Sequence, residues 1–158
     1  MKSYVERQCD LFEEYGDRDD VYFAHCISVD CAMGAGIALQ FVDWFKKKYD
    51  LNLRPLCSCG GANEGTCIET CRLFNLVTKE HYLDKPTYSS LERSLKCMAK
   101  TYMQNYVINS MDGVEDEVTT IVMPCIGCGL DQLDWTKVRN IIFKVFRYIP
   151  VNIIVCYL

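Results

Sequence analysis

Four short segments of the chain carry residue types that could do chemistry. The first, Leu76-Val77-Thr78-Lys79, ends an apolar run on a lysine. A lysine at the end of a buried strand can be partly desolvated, which lowers its pKa and makes the amine a nucleophile. Most strand-end lysines are simply solvated, so spacing alone favours the plainer role. The second segment is Pro124-Cys125-Ile126-Gly127-Cys128-Gly129-Leu130-Asp131. Its two glycines expose several backbone N–H groups, the makings of an anion-binding nest, with Asp131 at the edge. Asp131 read alone is also an ordinary turn or helix-start acid.

The third segment runs from Ala24 to Ala38, through His25, Ser28 and Met33-Gly34-Ala35-Gly36-Ile37. An apolar strand leads into a Gly-Ala-Gly turn and then a helix. Glycines let the backbone approach a ligand closely, and a helix start offers unpaired N–H groups at its positive dipole end. That combination suits a diphosphate. The third glycine of a dinucleotide fingerprint is missing, so the turn read alone is more readily a tight strand-to-helix connection. The fourth segment is Cys9-Asp10-Leu11-Phe12, where an acid just past a strand could accept from an adenine amino group or cap a turn.

The elements that must position these segments alternate in type. Strands are expected at about Ser3–Arg7, Val21–Ile27, Arg72–Thr78, Val118–Met123 and Val151–Tyr157. Ile37, Phe41, Trp44, Phe45 and Lys48 recur at helical spacing, which predicts a helix to Tyr49. Leu91, Leu95, Met98 and Tyr102 mark the inner face of a second, from Thr87 to about Asn105, and a third spans Trp135 to about Tyr148. Gly60–Gly65 reads as a turn between two strands, and Asp112–Glu117 as an exposed acidic loop. This alternation predicts an α/β fold, a mixed and mostly parallel sheet with helices on both faces. Ligands in such folds bind at the carboxyl ends of strands, where both glycine-containing loops lie.

The 158 residues fit one domain, 1–158, with no linker or repeat. A net charge of −4 disfavours a nucleic-acid partner. The N-terminal residues lack the apolar stretch of a signal peptide and no run approaches membrane-spanning length. A soluble intracellular protein of cytoplasm or nucleus, monomeric and without a membrane partner, is expected. Eleven cysteines, an odd count with several inside apolar runs, read as reduced thiols. Cys57, Cys59, Cys67 and Cys71 could close a zinc site, but C-x-C followed by C-x3-C is not the usual knuckle spacing, and no metal is expected.

Taken together and in order, Asp-Leu-Phe, Ala-His-Cys-Ile-Ser-x-Asp-Cys-x-Met-Gly-Ala-Gly-Ile-Ala, Leu-Val-Thr-Lys, Lys-Pro-Thr-Tyr-x-x-Leu and Met-Pro-x-Ile-Gly-Cys-Gly-Leu-Asp resemble the macro-domain superfamily. Within it, the chain is similar to the branch of the terminal ADP-ribose protein glycohydrolase, from about Tyr4 to Leu158. The resemblance implies a three-layer α/β/α fold and ADP-ribose as ligand. It implies that Asp10 and Leu11 hold the adenine, that Met33 to Ile37 wrap the diphosphate and proximal ribose, and that Ile126 to Leu130 close the other side. His25, Ser28, Thr78, Pro124 and Leu158 join the expected binding set, with Ser28 near the distal ribose. Lys79 matches the catalytic lysine and Asp131 the catalytic acid, with no cofactor.

The implied reaction is removal of ADP-ribose from glutamate- or aspartate-modified proteins, with deacylation of O-acyl-ADP-ribose beside it. Two alternatives use the same pocket: an ADP-ribose 1″-phosphate phosphatase and a non-catalytic ADP-ribose reader. Some positions depart from the family pattern. His25-Cys26-Ile27-Ser28 stands where many hydrolytic macro domains carry an asparagine-rich loop. Cys9 replaces a common glycine, Cys125 a longer polar side chain, and Leu53 to Thr70 is not closely similar.

Overall fold

The computed structural model describes residues 1–111 and 118–158, and of 109–111 the backbone alone. Six strands form one sheet: β1 (Ser3–Gln8), β2 (Val21–Ser28), β3 (Thr66–Thr70), β4 (Leu73–Lys79), β5 (Thr119–Pro124) and β6 (Val151–Tyr157). Their order is β1-β6-β5-β2-β4-β3, with every pair parallel except β3 on β4. The helices are α1 (Leu11–Tyr15), α2 (Gly36–Tyr49), α3 (Leu53–Cys59), α4 (Tyr88–Met111) and α5 (Trp135–Phe146).

The strands are apolar on both faces because each face has its own core. Tyr22 and Ala24 of β2, with Phe74 and Leu76 of β4, pack under α4 and α5. Val21, Phe23 and Ile27, with Leu73 and Val77, pack under α1, α2 and α3. A parallel sheet covered on both sides needs such unbroken apolar runs. The expected inner face of α4 is buried, with Leu91, Leu95 and Met98 at 0% exposure. On α2, Phe41 and Phe45 are buried, while Lys48 swings out to donate to the carbonyls of Gly16 and Arg18.

One expectation is overturned. The turn at Gly60–Gly65 joins a helix to a strand, not two strands. Leu53 and Cys57, four residues apart, are both fully buried, the spacing of a helical face. Pro55 sits in the first turn, where its missing N–H costs nothing, and Asn52 caps the start by accepting from the Arg54 N–H. The hairpin itself turns at Cys71 and Arg72, with φ of 46° and 66°, the paired left-handed geometry that suits two-residue hairpins. The acidic loop expected at Asp112–Glu117 lies outside the described residues. Among the described residues no helix is long and apolar enough to cross a membrane.

Candidate functional site

The carboxyl ends of the strands open on a cleft of about 820 Å³. Residues following β1, β2, β4 and β5 line it, together with the end of β6. From β1 to β4 is four strand spacings, so the cleft crosses about 19 Å of sheet. It is long enough for a ligand with distinct groups at its two ends.

On the β1 side, Asp10 caps α1, its Oδ1 accepting from the N–H groups of Phe12 at 2.9 Å and Glu13 at 3.2 Å. The capping role and the cleft-facing role coexist, since both bonds fall on one carboxylate oxygen. Leu11, Phe12, Tyr157 and Leu158 line the same end.

In the middle lies the loop between β2 and α2. Asp30 organises its first half, accepting from the Ser28 hydroxyl and the Ala32 N–H, while its other oxygen takes the Tyr82 N–H at 3.0 Å. Burial raises the Asp30 pKa, but these bonds outweigh it and hold the carboxyl below its ordinary value. Arg54 of α3 holds the second half, donating to the carbonyls of Ala32 at 2.7 Å and Met33 at 3.0 Å. Cys31 and Met33 take left-handed φ of 53° and 44°, rare for side-chain-bearing residues, so this loop is held in a constrained shape. Gly36 also has positive φ, 59°, and opens a 14-residue helix with no side-chain cap. The dipole and the uncapped N–H groups together make an electropositive pole facing the cleft.

On the β4 side, Lys79 Nζ donates to Asp131 Oδ1 at 2.7 Å, with both side chains only 14% exposed. Lys79 reaches this position where the β2–β4 register shifts, between Ile27 and Ser28. Asp131 comes from a loop closed by its own backbone: Cys128 N–H to Cys125 O, Gln132 N–H to Gly129 O and Leu133 N–H to Gly127 O. Lys85 braces that loop from outside, its Nζ donating to the Leu130 carbonyl at 2.5 Å.

Five cysteines line the cleft: Cys9, Cys26, Cys125, Cys128 and Cys156. Burial pushes Cys26 up to about 12, helped by the nearby Asp131 charge, and pushes Cys128 to about 11, Cys156 to about 12 and Cys125 upward. Thiols held protonated are poor nucleophiles, so these four serve as apolar wall. Lys79 is the better nucleophile candidate.

Most of the expected site residues line the cleft: Asp10, Leu11, Ser28, Met33 to Ile37, Lys79, Pro124, Gly127 to Asp131 and Leu158. His25, Thr78 and Ile126 do not. Ile126 and Thr78 are buried in the protein. His25 is fully buried against Phe41, its Nε2 2.6 Å from Asn75 Oδ1. The Asn75 amide nitrogen donates to Ile68, Thr70 and Leu73, so its oxygen is the acceptor and His25 Nε2 carries the proton. Burial drops the His25 pKa to about 4, fixing it neutral. The Cys57, Cys59, Cys67 and Cys71 set is dispersed over α3, β3 and the hairpin turn. Among the described residues no group of three or more His, Cys, Asp or Glu is placed to hold a metal.

Sequence reasoning missed Arg54, Tyr82 and the bracing role of Lys85. Lys85 sits in the Lys-Pro-Thr-Tyr motif, which offered a signal. Arg54 had none, because nothing in a lone cation at a helix start tells which carbonyls it reaches.

No family model matches the chain. The human ADP-ribose glycohydrolase OARD1, however, is 37% identical over 134 residues, covering 84% of this chain and 78% of its own length, and the bovine protein of that name is equally similar. The chain belongs to the macro-domain family, in its OARD1 branch. Solved macro domains share the fold at much lower identity. The Mycobacterium tuberculosis DarG macrodomain superposes with a TM-score of 0.72 at 18% identity, covering 99% of this chain and 98% of its own. Thermosipho africanus DarTG in complex with ADP-ribose gives 0.69 at 17%, covering 98% of this chain and 42% of that one. The six-stranded mixed sheet with helices on both faces is therefore the macro fold.

Proposed function

We propose that this macro domain binds ADP-ribose along the cleft and hydrolyses ADP-ribosyl esters. Its substrates are proteins modified on glutamate or aspartate, together with O-acyl-ADP-ribose such as the O-acetyl ester. Asp10 takes the adenine end, the Met33–Ile37 turn the diphosphate, and the Lys79–Asp131 pair the distal ribose. The observation that carries the reading is that pair: an amine and a carboxylate 2.7 Å apart, largely desolvated, at the end of a cleft walled by protonated thiols. The relatives' name, ADP-ribose glycohydrolase, and the ADP-ribose held by a protein of the same fold point the same way.

The chemistry follows from the pair. Asp131 takes a proton from the Lys79 ammonium, freeing the amine. The nitrogen then attacks C1″ of the distal ribose; the N–C bond forms as the C–O bond to the acyl group breaks, and the carboxylate leaves. The adduct opens to an imine, and water adds at C1″, giving its proton to the pair. Breaking the C–N bond returns the lysine and releases ADP-ribose. The sum is ester plus water to acid plus ADP-ribose, and no metal takes part in these steps. The 1″-phosphatase asks for different help at the leaving group, and the reader needs neither side chain of the pair.

The test follows ADP-ribose release from a glutamate-modified protein by wild type, Lys79→Ala and Asp131→Ala, with ADP-ribose affinity measured alongside. Wild-type release, with both variants binding but inactive, supports the lysine route. Binding by wild type without release makes the protein a reader. Light scattering tests the monomer: a stable dimer overturns it.

A further inference from the structure

We propose that Arg54 is a positioning residue for the diphosphate, acting through the loop between β2 and α2. This rests on the reading that the cleft takes ADP-ribose. Arg54 stands on α3 and is absent from the cleft lining, which it touches only through other residues. Its fork engages two successive carbonyls, Ala32 at 2.7 Å and Met33 at 3.0 Å.

A trans peptide holds its N–H on the side opposite its C=O. With both carbonyls turned to α3, the N–H groups of Met33 and Gly34 point the other way. Both residues line the cleft, and neither N–H has a partner among the described residues. A cationic donor on each carbonyl also polarises its peptide, making the opposed N–H a stronger donor to an anion. The preceding peptide is fixed from the other side, its Ala32 N–H held by Asp30. Met33 is kept at a φ of 44°, a conformation that such a residue adopts only when its surroundings over-determine it. Arg54 supplies that determination. Its planar five-donor fork matches two adjacent carbonyls in a way that a lysine does not.

The test compares wild type, Arg54→Ala and Arg54→Lys in binding ADP-ribose, ADP and adenosine, by calorimetry and by amide shifts near Asp10. Loss of charge-assisted bonds to an anion predicts ADP and ADP-ribose affinities about tenfold lower in Arg54→Ala. Adenosine binding stays at the wild-type value, and KM for the ester rises by the same factor with little change in kcat. Arg54→Lys recovers part of the loss. Unchanged ADP affinity in Arg54→Ala overturns the proposal, as does a parallel fall in adenosine affinity, which marks general loosening. Should Arg54→Ala not fold, Arg54→Lys and Arg54→Gln carry the same comparison, and the same two results overturn the proposal. A wild type that binds neither ADP-ribose nor ADP removes the functional reading, and this one with it.

Discussion

The two glycine-containing loops read alike in the sequence, each following an apolar strand and preceding a helix, but they are built in opposite ways. The loop after β2 is held through side chains: its own Asp30, which also takes the backbone N–H of Tyr82, and Arg54 reaching in from α3. It feeds directly into α2, so its last residues are the uncapped start of a long helix. The loop after β5 is closed by three backbone bonds of its own and reaches α5 only at Trp135, where Asp134 already caps the helix. The first loop offers N–H groups and a dipole. The second offers a side chain, Asp131, on a stiff mount. They meet where Leu130 packs against Gly36. Under the proposed function, anion binding and acid–base chemistry fall to different loops, and each can be broken without the other.

The largest effect is expected at the pair joining the second loop's Asp131 to Lys79 at the end of β4. Replacing Lys79 or Asp131 by Ala lowers ester hydrolysis by about a thousandfold. ADP-ribose affinity, read by calorimetry, stays within about threefold, since little binding passes through the pair. Equal losses in affinity and rate would erase the division between the loops.

Next comes acid. The strand feeding the first loop carries the buried neutral His25, whereas β5 carries no ionisable side chain. With the His25 pKa dropped to about 4, the folded state binds fewer protons than the unfolded chain between pH 6.5 and 4. Stability from this group is complete above pH 6.5 and falls by about 3 kcal/mol as pH drops through 4. Urea midpoints measured from pH 7 to 4.5 should show this slope in wild type and a flatter one in His25→Leu. Hydrogen exchange at low pH should open β2 and β4 before β5.

Smaller effects separate the glycines. Gly127→Ala places a Cβ 2.9 Å from Leu133 Cδ1 at a φ of 72°, and Gly36→Ala one 3.1 Å from Leu130 Cδ1 at 59°. Each costs about 1–2 kcal/mol, measured as a lower unfolding midpoint. Gly129→Ala and Gly34→Ala meet nothing within 4 Å and have no left-handed φ, so their stability stays within about 0.5 kcal/mol of wild type. Any loss of ADP-ribose affinity in those two then reports contact with the ligand rather than folding. A destabilised Gly129→Ala would show the second loop to be less self-contained than its backbone bonds imply.

Much of this architecture is legible in the sequence, for local reasons. Strand–loop–helix order follows from period and punctuation, and Leu91, Leu95, Met98 and Tyr102 sit inside as their spacing requires. Position alone leaves Lys79 and Asp131 as ordinary strand-end and turn residues, and only the resemblance picks them out. The helical Leu53–Cys59 escapes such reading because seven residues with two cysteines and a proline carry too short a period to separate helix from strand. The family resemblance places His25 in the cleft, but a strand residue next to a binding loop has an even choice of faces. Its side chain turns instead into the core under α2, against Phe41, where Asn75 offers an acceptor.

By itself the sequence determined the alternation of elements, the apolar faces that force a sheet covered on both sides, and the family, because these depend on residue order along the chain. Tertiary structure alone decided that Lys79 and Asp131, 52 residues apart, share one hydrogen bond, and that Arg54 holds the carbonyls of Ala32 and Met33. It also decided that burial pushes the thiols of Cys26, Cys125, Cys128 and Cys156 upward. Each of these depends on which strand neighbours which and how deeply a group is buried. Distance and desolvation set their energies, and neither quantity is written in the spacing of residues.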